Sequence, residues 1–117
     1  MATTVTTAGK NIAVQALADA CTHAALLNSS GVELSGGSPA YARKAISKAA
    51  ASGGAVALSA SPVFDIPAGA EVAKVAYYSA STGGTQYCID DLSAVETYTG
   101  QGTYTLTSGT ITIADPA

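Results

Sequence analysis

The sequence predicts a mainly β protein: an antiparallel β-sandwich of about seven or eight strands, preceded by one N-terminal α-helix. Three observations carry that reading. Apolar residues recur at helical spacing only near the start. After Cys21 the chain breaks into short runs rich in Val, Ile, Thr and Tyr. Turn residues separate those runs about every ten positions, the spacing expected of a sandwich or barrel.

Residues 1–6 show no period and read as a flexible arm, leaving 7–117 as a single domain. The helix is expected over 7–21, with Thr7 as its N-cap. Ile12, Ala16 and Ala20 fall at i, i+4 and i+8, with Ala13, Leu17 and Cys21 beside them, and should form the buried stripe. Lys10, Asn11, Gln15 and Asp19 should face water. The sandwich then occupies 22–114. Its first run, Thr22 to Asn28, ends at the Ser29-Ser30-Gly31 turn. Tyr41 to Ser47 alternates weakly around Lys44 and reads as an edge strand. Gly54 to Ser59 and Val63 to Ile66 are separated by Pro62, and Pro67-Ala68-Gly69 is a turn. Val72 to Ser79 and Thr85 to Ile89 make a hairpin about Ser81-Thr82-Gly83-Gly84, followed by a loop at Asp90 to Ser93. Gly102 to Thr107 and Thr110 to Ala114 are expected to close the fold as a hairpin about Ser108-Gly109.

Composition excludes several classes of function. The chain has 117 residues and a hydrophobic fraction of 48%, which suits a packed core. Only 11% is charged, against about 25% in ordinary globular proteins. Five basic residues face eight acidic ones, a net charge of −3. That balance offers no footprint for a nucleic-acid backbone and no polybasic attraction to lipid, so neither partner is expected. A surface of Gly, Ser and Thr is polar without being ionic. Burying such a surface against another costs far less than burying charges, which suits an assembly component.

The first twenty residues are not expected to act as a signal peptide, because Asn11, Gln15 and Asp19 interrupt the apolar positions. Synthesis in the cytoplasm is expected. There Cys21 and Cys88, 67 positions apart, read as two unpaired thiols in preference to a disulfide.

Catalysis has little to stand on. His23 is the single histidine, and no sequence cue supplies it with a partner. Metal ligation fails for want of a CxxC or HExxH spacing. Asp90, Asp91 and Glu96 lack the spacing of a calcium loop. The glycine pairs lack the Lys-Ser/Thr of a phosphate loop and read as turns. Asn28-Ser29-Ser30 matches a glycosylation sequon, but with no secretion signal expected it is not expected to be used. Neither an enzyme nor a cofactor is expected. Tyr77, Tyr78 and Tyr87 are candidates for a ligand-stacking face, although neighbours on a strand point to opposite sides.

Three segments carry a resemblance. They are Gly36 to Ala45, Val63 to Gly69, and Leu92 to Thr97 followed by Gly100 to Thr107. In this order they resemble a family of small virion proteins of actinobacterial tailed phages, whose members are described as minor tail, tail-fibre or head decoration proteins. The resemblance spans about Gly9 to Ile113. It implies a non-enzymatic structural role in the virion, with other virion proteins, major capsid or tail proteins, as partners. Self-association, as a trimer, is the expected oligomeric state. Candidate assembly contacts are Ile12, Ala16, Leu17 and Ala20 on the helix, where small residues allow close approach, and Tyr41 and Arg43 on the edge strand, which is open to strand addition. The competing expectation is a receptor- or glycan-binding module of the tail tip.

Overall fold

The computed structural model describes residues 3–107 and 109–113. Part of the expected arm (Met1, Ala2), Ser108 of the last turn and the end of the last run, Ala114, lie outside them. One helix, α1 (Thr7–Ala20), precedes eight strands: β1 (His23–Leu27), β2 (Lys44–Ala45), β3 (Ala55–Ala57), β4 (Val63–Ile66), β5 (Glu71–Tyr78), β6 (Gln86–Thr97), β7 (Gly102–Thr105) and β8 (Thr110–Thr112). All strand pairing is antiparallel.

The strands form one four-stranded sheet, ordered β2-β1-β5-β6, and two ribbons, β3-β8 and β4-β7. Ala24 and Leu26 of β1 pair with Tyr77 and Val75 of β5, which places the four side chains on one face of the sheet. They share a core with Val56 of β3, Phe64 and Ile66 of β4, Leu106 and Ile111. Helix α1 packs on β3 and β8 and adds Val14 and Ala18 to the same cluster. In β1, Ala24 to Leu27 are all buried, so the strand reads as a continuous apolar run without alternation.

The helix is capped one residue earlier than expected. Thr6 is extended, and its Oγ1 accepts a hydrogen bond from the Gly9 amide at 3.3 Å. Thr7 is therefore the first helical residue, not the cap. The orientation of the helix also corrects the sequence reading. Val14 and Ala18 are buried, whereas Ile12 is 75% exposed and Ala13, Ala16 and Ala20 face outward with it.

Hydrogen bonding explains the inversion. Asn11 Oδ1 accepts from the Gly54 amide at 2.8 Å, and Gln15 Oε1 accepts from the Ala51 amide at 2.9 Å. Both amides belong to the segment before β3 and would otherwise lack a partner at the packed surface. Lys48 Nζ closes the other end, donating to the carbonyls of Ala18 and Cys21 at 2.7 and 2.6 Å.

Two strand expectations are also corrected. Gly102–Thr105 and Thr110–Thr112 do not pair with each other; β7 pairs with β4 and β8 with β3. A short connection made them look like a hairpin, but each ribbon is completed by a strand from earlier in the chain. Asp90 to Ser93 is not a loop. It lies within the twelve-residue β6, where the register moves two steps along β5, from Val72 to Lys74, against five along β6, from Glu96 back to Asp91. That bulge at Leu92 to Val95 accounts for the loop-like pattern.

Candidate functional site

The helix candidates divide by the side they occupy. Leu17 is half-buried against the core. Ile12, Ala16 and Ala20 lie on the outer face. Ala50 and Ala51 flank this face, so a shallow groove runs between the helix and the segment that Gln15 anchors. Asn11 and Gln15, expected to face water, bond inward, while Asp19 stays exposed and Ile12, Ala13, Ala16 and Ala20 face solvent beside it. Nothing in the hydrophobic pattern signalled this; the Asn11/Gln15 spacing of four did place two hydrogen-bonding side chains on one side.

Tyr41 and Arg43 are committed within the chain. Arg43 grips Glu33 through two parallel bonds, Nη2 to Oε1 and Nε to Oε2, both at 2.9 Å. Its Nη1 donates to the carbonyls of Ala80 and Gly83 at 3.0 and 2.8 Å, and its guanidinium lies 3.7 Å above the Tyr78 ring. The Arg43 side chain is only 8% exposed. Tyr41 Oη donates to Glu33 Oε2 at 2.8 Å and accepts from the Leu26 amide at 2.9 Å. Its ring stacks on Phe64 with centroids 6.4 Å apart.

Burial acts to raise the Glu33 carboxyl, but the hydrogen bonds from Arg43 and Tyr41 outweigh it and hold the group below its ordinary value. Burial, together with the Glu33 charge, pushes the Tyr41 hydroxyl well upward. This cluster is a strut tying β1, the segment before β2 and the β5–β6 turn together. Glu33, its centre, escaped the sequence reading because a single acid in a loop carries no pattern.

The three candidate tyrosines do not form one platform. Tyr77 is 1% exposed and belongs to the core, so it is removed from any ligand face. Tyr78, on the opposite side of β5, lies under Arg43 and its Oη accepts from Gln86 Nε2 at 2.9 Å. Tyr87 alone is well exposed, at 46%. It shares β6 with the exposed Ile89 and Val95. β6 ends the sheet order, so among the described residues no strand pairs with its outer side. The expected edge at Tyr41 to Ser47 is also present, as β2, but it is only two residues long. β6 went unrecognised as the longer edge because its bulge hid the strand.

The other candidates stay apart. His23 Nδ1 meets the neighbouring Thr22 hydroxyl at 2.9 Å. Asp91 bonds Lys74 at 2.7 Å while Glu96 lies beyond the bulge, opposite Val72. Among the described residues no group of three or more His, Cys, Asp or Glu side chains could hold a metal ion. Cys21 and Cys88 are both free thiols and lie against each other. Burial raises the Cys21 thiol, although contact with Cys88 and the nearby Lys48 ammonium oppose it. Burial and then Cys21 push the Cys88 thiol up to about 12.

Among the described residues no helix is long and apolar enough to cross a membrane. No curated protein and no solved structure matches the sequence. A family described as podophage GP4 fiber I protein gp80 matches residues 1–114. Of the roles offered by the resemblance it carries the fibre one, and its phages are podophages, not specifically actinobacterial ones. A structural fibre protein of the virion accords with a site whose charged groups bind its own chain together. The chain belongs to the podophage GP4 fiber I protein gp80 family.

Proposed function

We propose that the chain is a non-enzymatic fibre subunit that joins copies of itself, as a trimer, and neighbouring virion proteins through the outer face of α1. The observation that carries this reading is the inverted helix. Asn11 and Gln15 are used inside, and Ile12, Ala13, Ala16 and Ala20 are left on the surface beside Ala50 and Ala51. Small side chains permit close backbone approach, and the single large one, Ile12, is placed to enter a facing surface. The low charge of the chain keeps the cost of desolvating such a contact small.

Removing residues 1–20 would test the contact badly, because Val14 and Ala18 are part of the core. Ile12→Glu is the appropriate variant, since Ile12 is exposed and contributes little to folding. Wild type should sediment as an oligomer and Ile12→Glu as a folded monomer that melts where wild type does once wild type is diluted to its monomer. Identical sedimentation of the two would reject the helix as the contact.

A second reading, recognition of a host receptor or glycan, is favoured by fibre-family membership and by the exposed Tyr87 and Ile89 on β6. Aromatic rings beside a polar rim suit a sugar face. A glycan array probed with wild type and Tyr87→Ala tests it: binding by wild type alone supports recognition at β6, and no binding by either removes it.

A further inference from the structure

Cys21 and Cys88 lie far apart in sequence, and their side chains meet in the fold. Cys21 closes α1, its amide donating to the Ala18 and Leu17 carbonyls. Cys88 pairs with Tyr77 across β5–β6, and Tyr77 pairs in turn with Ala24 of β1, three residues beyond Cys21. Both thiols pack in the same core, Cys21 fully enclosed and Cys88 partly accessible.

We propose that this pair is a latent cross-link: reduced where the chain is made, and closed to an intramolecular Cys21–Cys88 disulfide when the protein meets a low-molecular-weight disulfide oxidant. The reaction is two successive exchanges. The accessible Cys88 thiol loses its proton to solvent, and its thiolate attacks one sulfur of the small disulfide. That S–S bond breaks, and one small thiolate leaves and takes up a proton. Cys21 then gives up its proton, its thiolate attacks the Cys88 sulfur of the mixed disulfide, and the second small thiolate leaves and takes up a proton. Two protein thiols are oxidised and one disulfide is reduced to two thiols, so the electrons balance without another reactant.

The cross-link would tie the C-terminal end of α1 to β6, which constrains the unfolded chain across a span of 67 positions. It would also hold the helix in place while its outer face carries contacts. The enclosed, apolar setting keeps both thiols protonated, so closure is slow near neutrality and speeds up as pH rises.

The test uses the full wild-type chain incubated with glutathione disulfide between pH 7 and pH 9. Mass spectrometry without reductant should show a monomer lighter by two hydrogens, a linked Cys21–Cys88 peptide after digestion, and full reversal by dithiothreitol. The rate should rise roughly tenfold per pH unit, as the thiolate fraction does, and the oxidised chain should melt several degrees higher. Cys88→Ser should stop the linkage and leave at most one glutathione adduct. Two stable glutathione adducts per wild-type chain, a disulfide only between chains, or two unreacted thiols after prolonged incubation at pH 9 would each overturn the proposal.

Discussion

Arg43 and Glu33 face each other through two parallel hydrogen bonds of 2.9 Å, and the rest of the guanidinium is held by the Ala80 and Gly83 carbonyls. A planar fork with five donors can make this set of contacts; a lysine ammonium cannot. Arg43→Lys is therefore expected to cost about 1–3 kcal/mol in urea unfolding. The loss should be local as well as global. Amide exchange across 79–85 should accelerate more than in β1 or β5, because the turn loses its internal donor. Uniform acceleration would mean that Arg43 does not hold the turn.

The same pair sets a pH dependence. Glu33 is held below its ordinary value of 4.5 in the folded chain, so the unfolded chain takes up the proton first. The stability that Glu33 contributes is complete above about 4.5 and is lost as pH falls through the folded value. Asp90 has the opposite sign: burial and then Asp91 raise it, so its contribution is lost as pH rises through its folded value. Comparing wild type with Glu33→Gln isolates the first effect. Wild type should be the more stable at pH 6, and the difference should shrink steadily toward pH 3. A difference that stays constant over this range would remove the charge from the account.

Much of the fold was legible because local pattern and tertiary role agree. β4 has the expected bounds, Val63 to Ile66, and the β5–β6 hairpin follows its glycine turn. The readings that failed did so where pairing is remote or where polarity is used inside. β7 and β8 each pair with a strand roughly 40 or more positions earlier, which no local signal encodes. The helix face was misassigned because a hydrophobic stripe was taken to point inward, whereas Asn11 and Gln15 supply what the adjoining amides need. The three segments that carried the family resemblance meet in space. Gly37 sits against both Gln101 and Pro67, and Tyr41 stacks on Phe64.

The inverted helix separates folding from assembly in a measurable way. Asn11→Ala and Gln15→Ala each strand an amide at the surface against α1 and should cost about 1 kcal/mol in thermal or urea unfolding. Ile12→Ala should change stability by less than about 0.5 kcal/mol, as exposed substitutions do. A penalty for Ile12→Ala as large as that of Gln15→Ala, in a chain kept dilute enough to be monomeric, would place Ile12 in the core instead.

The junction of the three segments can be probed by a pair of glycine substitutions. Gly31 and Gly37 both have positive φ, 80° and 96°, where an L side chain is strained by about 1 kcal/mol. A Cβ at Gly31 would meet nothing within 4 Å, so Gly31→Ala should show that backbone cost alone. At Gly37 a Cβ would come within 2.8 Å of Gln101 Oε1 and 3.1 Å of the Pro39 carbonyl oxygen. Gln101 cannot retreat freely, because its Oε1 accepts from the Ser38 amide and its Nε2 donates to the Pro39 carbonyl, each at 3.1 Å. Gly37→Ala should therefore lose those two bonds as well and cost about 2–3 kcal/mol by urea unfolding. Gln101→Ala should therefore cost less in the Gly37→Ala background than in wild type, and the double-mutant cycle should give a coupling of about 1 kcal/mol. Equal penalties at the two glycines would show that Gln101 moves aside without loss, and that the junction is held by the Tyr41–Phe64 stack instead.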